Sequence, residues 1–372
     1  MPAHPLQPIV IWFGRVGDMI LLSALLDILH ARYGGRCHVI GAGHWPAEIY
    51  AAHSAVARVS CLHRYTAFVF DAAWWRTVWA LRTARDQPVY VCEYDPRKLV
   101  RVRRLLRAAG IDPARCLFIT DTPAGREAGA HWVDRLAGFG RLTPPAFAAA
   151  DYPWVSGPPP TPACAPRLEV SAAAGAECDV WLEAHGFSGR PLVLVQPGNR
   201  RTMRGKRLRL SALDDKAWPP ERWAQLLQQM HAALPQALLL LCGAPRERLL
   251  LGWIEQAARL RCVVPAELPL PRLLALCTRA HSMVSVDTGP AHAAAALSLP
   301  LVVLFGAHAQ AEWLPRSPSG SAVVGLGGPP ESSRLDEIAV ERVFAAWHSL
   351  PGRESPPAGV AVTARAASAT PR

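Results

Sequence analysis

The chain has 372 residues, 51% of them hydrophobic, and a formal net charge of +11. Its length exceeds one ordinary core and calls for two domains, with apolar material enough for a large interior. The positive excess is Arg-rich and spread along the chain, which suits an anionic partner such as a nucleotide phosphate, an acidic lipid or nucleic acid, or else a plain solvated surface. Nine cysteines are scattered with no CxxC pair. Such a dispersed, odd set argues against a disulfide framework or a zinc site and for reduced thiols. No apolar run reaches the roughly 18 residues of a membrane span. The stretch beginning MPAHPLQPIVIWFGRVGD is broken by Arg15 and Asp18 and does not read as a signal peptide.

Residues 8–13 are apolar and β-branched and predict a buried strand. A turn at 14–17 holds Gly14 and Gly17, and 18–32 predicts a helix with Leu, Ile and Met over one broad face. Strands are predicted at 36–40, 67–70, 89–92 and 116–119, and helices at 74–85, 96–109 and 127–139. Such alternation specifies a parallel α/β sheet. Residues 143–166 are rich in Pro and Ala and read as an interdomain linker. A second series follows Glu177. Its helices are predicted at 180–185, 220–234, 246–260, 271–279 and 335–350, and its strands at 191–195, 237–242, 262–264, 283–286 and 301–305. The expected organisation is an N-terminal domain at 1–142, a linker at 143–176, a C-terminal domain at 177–350 and a disordered tail at 351–372.

The richest stretch is DTGPAHAAAALSLP at 287–300. It lies between two predicted strands, so Asp287, Thr288, Gly289 and His292 fall at the carboxyl end of a parallel sheet. Ligands of such sheets bind there, where a helix N-terminus offers free amides to a phosphate. Gly14-Arg15-Val16-Gly17-Asp18 forms a second turn. Asp18 is either a helix-capping carboxylate or a general base at the mouth of a cleft. The turn is not GxGxxG, which argues against a dinucleotide-binding oxidoreductase. After Gln196-Pro197-Gly198-Asn199 comes RRTMRGKRLR. Its Arg201, Arg204 and Lys206 read as a diphosphate clamp, or as a loop facing solvent or lipid headgroups. Glu247, at a helix start, reads alone as a cap. Trp74 and Trp75 read as core or cleft lining.

The order of these pieces resembles the glycosyltransferase family 9 heptosyltransferases. The matching segments are RVGDMILLSALL, LVLVQPGN, KAWPPERWAQLL, LLLCGAPRER, DTGPAH and LPLVVLFG, spanning about residues 8–315. The resemblance implies a GT-B fold, with two Rossmann-like domains facing across a cleft. The acceptor is expected on the N-terminal side with Arg15 and Gly17, and the nucleotide-sugar on the C-terminal side.

Asp18 is then expected to deprotonate the acceptor hydroxyl in an inverting, single in-line displacement. Lys216, with Lys206 or Arg204 as rivals, would face the diphosphate. Glu247 would meet the ribose or base, and Asp287, Thr288, Gly289 and His292 the sugar and diphosphate. No metal and no cofactor beyond the donor, expected to be ADP-heptose, is implied. The expected partner is an anionic glycolipid of the lipopolysaccharide core, reached by a cytoplasmic protein touching the inner membrane peripherally, with no nucleic acid. Another sugar, an O-antigen or protein acceptor, or a non-catalytic nucleotide-sugar binder are the alternatives. Two departures stand out. The stretch from Gly198 to Lys216 is longer and more basic than the family's, and Ala307-His308 replaces the family's usual Pro-Thr.

Overall fold

The computed structural model describes residues 4–63, 71–152, 164–199, 202–204, 207–208 and 217–353. The first half is a parallel sheet of β1 (Ile9–Ile11), β2 (Cys37–Ala42), β3 (Val56–Leu62), β4 (Val89–Val91) and β5 (Cys116–Phe118), in the order β3-β2-β1-β4-β5. The helices threading it are α1 (Val16–Tyr33), α2 (Trp45–Ile49), α3 (Ala72–Arg82), α4 (Pro96–Ala109), α5 (Pro123–Arg126) and α6 (Trp132–Gly140). In the second half β6 (Leu192–Gln196), β9 (Leu238–Gly243), β10 (Val263–Glu267), β11 (Ser282–Val286), β12 (Leu301–Phe305) and β13 (Val323–Gly327) form a six-stranded parallel sheet. Its order is β10-β9-β6-β11-β12-β13. A short hairpin, β7 (Met203–Arg204) with β8 (Arg207–Leu208), stands apart. Helices α7 (Ala172–Ala184), α8 (Pro220–Ala233), α9 (Arg248–Ala258), α10 (Leu270–Arg279), α11 (Gly289–Ala296), α12 (Gln310–Trp313) and α13 (Val340–His348) complete this half.

Both sheets are covered on two faces, so their central strands are continuous apolar runs rather than alternating ones. In the first half α1 and α6 pack on one face and α3 and α4 on the other. Residues 19–26 of α1 are all buried. A helix apolar around its whole circumference needs a second partner, and here it is α11. Ala293 and Ala296 join the same apolar cluster as Met19, Leu22 and Leu26. The small alanines let the two backbones approach closely.

Residues 164–171 strap the halves together. The Arg167 amide donates to Ser23 Oγ (3.0 Å), its guanidinium pairs with Asp27 (3.2 Å), and the Leu168 amide donates to the Ala296 carbonyl. Glu169 accepts from the Ser54 amide and hydroxyl.

Several elements differ from the sequence-based expectation. The third strand of the first sheet is β3 at Val56–Leu62; the strand expected at 67–70 lies outside the described residues. Helix α7 starts at Ala172, eight residues earlier than expected, because Ser171 caps it by accepting from the Ala174 amide. The helix expected at 127–139 begins at Trp132, where His131 caps it. Residues 351–353, expected to open a disordered tail, are held instead. The Arg353 amide donates to the His281 carbonyl, and its guanidinium donates to the carbonyls of Cys277 and Leu297.

Candidate active site

In each sheet the strand order reverses at one point, between β1 and β4 and between β6 and β11. That is where open α/β sheets leave a crevice outside the carboxyl ends of their strands. The loop after β1 carries Arg15, Gly17 and Asp18. The loop after β11 carries Asp287, Thr288 and Gly289.

The two loops touch. A Cβ added to Gly289 would lie 2.9 Å from Val16 Cγ1 and 3.1 Å from the Gly17 amide nitrogen. A Cβ on Gly17 would lie 3.4 Å from His292 Cδ2 and 3.6 Å from Gly289 Cα. The structure therefore brings Gly17, Gly289 and His292 together, and with them the N-termini of α1 and α11. At position 289 only glycine permits so close an approach to the facing turn.

Asp18 stands in the first turn of α1, half-buried. Its Oδ2 accepts from the Arg15 amide at 2.6 Å, so the capping role is real. Arg15 itself is exposed. Tyr94 lies near enough that the Asp18 charge helps burial push its phenol up to about 12. The loop is supported from below by a residue that sequence reasoning missed. Glu93, fully buried just past β4, accepts from the amides of Phe13, Tyr94 and Asp95. Burial raises its pKa against those donors and Lys98. A carboxylate directly after a predicted strand was the available signal.

On the second sheet the chemistry-bearing residues stand along one edge in strand order: Glu247 after β9, Gly198 after β6, Asp287 after β11 and His308 after β12. Glu247 is buried, and its Oε2 accepts from the Ala244 amide (2.8 Å). Its Oε1 has no hydrogen-bond partner among the described residues and faces Gly198, where an added Cβ would come within 2.6 Å. Burial raises the pKa of this carboxyl, opposed by the Ala244 amide. A buried, half-satisfied carboxylate calls for an explanation, and a donor from a bound molecule would complete it.

Asp287 is nearly buried, and its Oδ2 is paired with His308 Nδ1 at 2.8 Å. His308, the residue that departs from the family pattern, thus takes one edge of the carboxylate expected to contact the sugar. Spacing gave no sign of this pair, because it forms between two strand ends 21 residues apart. Thr288 Oγ1 donates to the Val286 carbonyl, and His292 is buried in α11.

An aromatic chain runs from here to the other half. His308 stacks on Trp313 (5.7 Å, 25°), Trp313 packs on Trp132 (5.5 Å), and Trp132 meets Trp12 and Tyr94. Polar links flank it, with Arg316 on Asp134 (2.6 Å) and His131 Nε2 on the Leu314 carbonyl (2.8 Å).

Lys216, Arg201 and Lys206 lie outside the described residues, and for Arg204 only the backbone, in β7, is described. The segment leading into α8 is fixed by Trp218, buried with Nε1 donating to the Ile338 carbonyl. A separate cavity of about 290 Å³, lined by Glu48, Ala51, Glu169 and Leu274 among others, shares no residue with the two loops.

Comparison with known proteins bears on the fold and on the family the chain resembles. The sequence profile described as glycosyltransferase family 9 (heptosyltransferase) matches residues 162–337. Lipopolysaccharide heptosyltransferase 3 of Escherichia coli is 28% identical over 139 residues, and the match spans 36% of this chain and 36% of that protein. A glycosyl transferase family 9 protein from Veillonella parvula superposes with a TM-score of 0.69 at 14% identity, over 94% of this chain and 97% of that one. E. coli ADP-heptose LPS heptosyltransferase II gives 0.67 at 20% identity, over 92% and 98%. An E. coli heptosyltransferase solved with ADP gives 0.60 at 18%, over 92% and 99%. The architecture is the GT-B fold expected from the sequence. The profile match falls on the second half of the chain, and the shared fold extends over both halves, so the chain is similar to glycosyltransferase family 9 in sequence over residues 162–337 and in architecture throughout.

Proposed function

We propose that the protein is an inverting glycosyltransferase that moves heptose from ADP-heptose to a lipopolysaccharide-core or related glycan. The observation that carries this reading is the Gly17–Gly289 contact, which puts the Asp18 turn beside the N-terminus of α11. Asp18 accepts the proton of the acceptor hydroxyl as that oxygen bonds to the sugar C1. The C1–O bond to the diphosphate breaks on the opposite side in the same step. The developing charge on the departing diphosphate is met by the free amides of α11 and by the cations of the 199–216 loop. Glu247 Oε1 accepts from a ribose hydroxyl. Asp287 and His308 together face the sugar. The relatives named for heptose and ADP support this choice of donor.

The protein would act at the cytoplasmic face of the inner membrane as a peripheral protein. No helix among the described residues is long and apolar enough to cross a membrane. A second reading, transfer of a different nucleotide-linked sugar, is favoured by His308, which alters the carboxylate that would select sugar hydroxyls.

The test separates Asp18's two roles. Asp18→Asn keeps an oxygen for the Arg15 amide but removes the base, whereas Asp18→Ala removes both. Both variants are expected to lose transfer while binding donor like wild type. Transfer at the wild-type rate by Asp18→Asn would refute the base assignment. A thermal-shift panel of ADP-, GDP-, UDP- and dTDP-sugars identifies the donor. A ligand at about 100 times its Kd adds roughly 2.7 kcal/mol of stability, and the ADP-sugar is expected to give the largest shift.

A further inference from the structure

Of the seven large hydrophobic side chains exposed among the described residues, three lie on the paired helices α3 and α4 of the first half: Trp75 (49%), Trp79 (67%) and Val100 (50%). Trp75 and Trp79 are one helical turn apart on α3. Val100 lies on α4 between the exposed Arg97 and Arg104.

The two helices run side by side in the same direction. Arg101 reaches the Trp74 ring near their starts, and Arg82 donates to the Ala108 carbonyl at their ends. Their sequences, AAWWRTVWALR and PRKLVRVRRLLRAA, contain eight basic residues and no Asp or Glu. Arg97, Arg104 and Arg107 form the exposed stripe of α4 at spacings of seven and three. This layer covers the sheet face opposite α1, α6 and α11, so the second half does not shield it.

We propose that the exposed face of α3 and α4 docks the protein on an anionic lipid bilayer. Tryptophan and arginine together match the boundary between acyl chains and headgroups. The indole rings sit at the apolar edge, and the guanidinium groups pair with phosphates while their stems cover apolar surface. The helices contribute cations and no carboxylate of their own, with the exposed Arg103 paired to Asp121 at the edge, and such a face is complementary to the negative surface of a cytoplasmic leaflet. Exposed apolar surface rimmed by polar residues is a mark of protein or membrane interaction sites.

The face also adjoins the candidate site. Lys98 Nζ, in the first turn of α4, donates to the Phe13 carbonyl (3.0 Å), so the loop leading to Asp18 abuts the edge of the docking surface. This deepens the reading above and rests on it in one respect: a lipid-borne acceptor would enter at that edge.

The test is flotation of the full chain with vesicles of phosphatidylcholine alone and with about one third phosphatidylglycerol added. Neither vesicle holds a sugar acceptor, so the outcome is independent of transfer. Binding to the anionic vesicles only is expected, weakening as salt rises. Each arginine near such a surface contributes about fivefold to partitioning, so Arg97→Gln/Arg104→Gln/Arg107→Gln should reduce it about a hundredfold. Trp75→Ser/Trp79→Ser should also lose binding, and both variants should keep the wild-type Tm because these side chains are exposed. Transfer to a water-soluble acceptor fragment should be unchanged in the arginine variant.

The control is Arg259→Gln/Arg261→Gln/Arg342→Gln, of equal charge change in the second half. Equal loss in the control would reduce the effect to net charge and overturn the proposal. So would absence of binding to either vesicle, or wild-type binding by the α4 variant.

Discussion

Gly289→Ala tests the meeting of the two loops directly. Its Cβ would sit 2.9 and 3.0 Å from the Val16 side chain and 3.1 Å from the Gly17 amide nitrogen. Carbon contacts relax at about 3.5 Å or more, so the loops must part by about 0.6 Å. Overpacking of this kind costs about 1–3 kcal/mol, offset by about 0.4–1 kcal/mol because alanine restricts the unfolded chain. A net loss near 1 kcal/mol lowers Tm by about 3 °C for a unit of this size. A 1 Å misplacement of reacting groups can cost about a hundredfold in rate, so the parting should slow transfer about tenfold.

Gly17→Ala is the matched comparison. Its Cβ would meet His292 at 3.4 Å and Gly289 at 3.6 Å, which are ordinary contacts or close to them. Tm should stay level or rise slightly, and the rate should remain within about threefold. Adding Val16→Ala to Gly289→Ala removes the nearest clash and should recover part of the loss. The assay is single-turnover transfer with donor Kd measured in parallel. Equal rates and Tm for Gly289→Ala and wild type, or a larger defect from Gly17→Ala, would refute the claim that these loops form one site.

Other outcomes are expected from particular contacts. His308→Ala strips Asp287 of its imidazole and should cost about 1–3 kcal/mol of stability and about tenfold in donor Kd. His308→Gln, which keeps a donor, should restore part of both, and wild-type affinity in both variants would remove His308 from the site. Replacing Arg201, Arg204 and Lys206 with Gln should weaken nucleotide-sugar binding. Unchanged affinity by calorimetry would assign that loop to lipid or solvent. His131 predicts an acid weakness between the halves. Its Nδ1 accepts from the Val133 amide (3.2 Å) and its Nε2–H donates to the Leu314 carbonyl, so only the neutral ring fits. Burial, and then Arg316, lower its pKa to about 4 from 6.5. The folded value is depressed, so this stability is present above about pH 6.5 and is lost as pH falls toward 4, by up to about 3 kcal/mol. Tm should decline over that window, and His131→Asn, which still caps α6, should show a shallower decline; an identical slope would refute the assignment.

What could be read in advance follows from how locally each feature is encoded. The strand-turn-helix-strand unit at 282–305 was legible because apolar runs, Gly289 and Pro290 are contiguous. Strand β3 escaped because it lies at the sheet edge, where Ala57 and Arg58 are exposed and break the apolar run. Strand β13 escaped for a related reason: VVGLG holds two glycines and is only partly buried. The Asp18 turn and the DTG turn could each be found, but their contact could not. It depends on how α1 seats against α11 across more than 270 residues. Glu93 beneath the first loop, and the His308–Asp287 pair, are likewise products of neighbouring strand ends. No residue spacing encodes them.

The α1–α11 pair has a mechanical consequence. The two helices run side by side from the Gly17–Gly289 contact to the strap at Ser23, Arg167 and Ala296. They form an axle whose end lies at the candidate site. A rotation of one half about this line displaces each atom in proportion to its distance from it. The far walls would swing by ångströms and widen the cleft, while Asp18 and the N-terminus of α11, near the axis, would keep their separation. A protein hinged there can change the aperture of its site without retuning the distance on which the reaction depends.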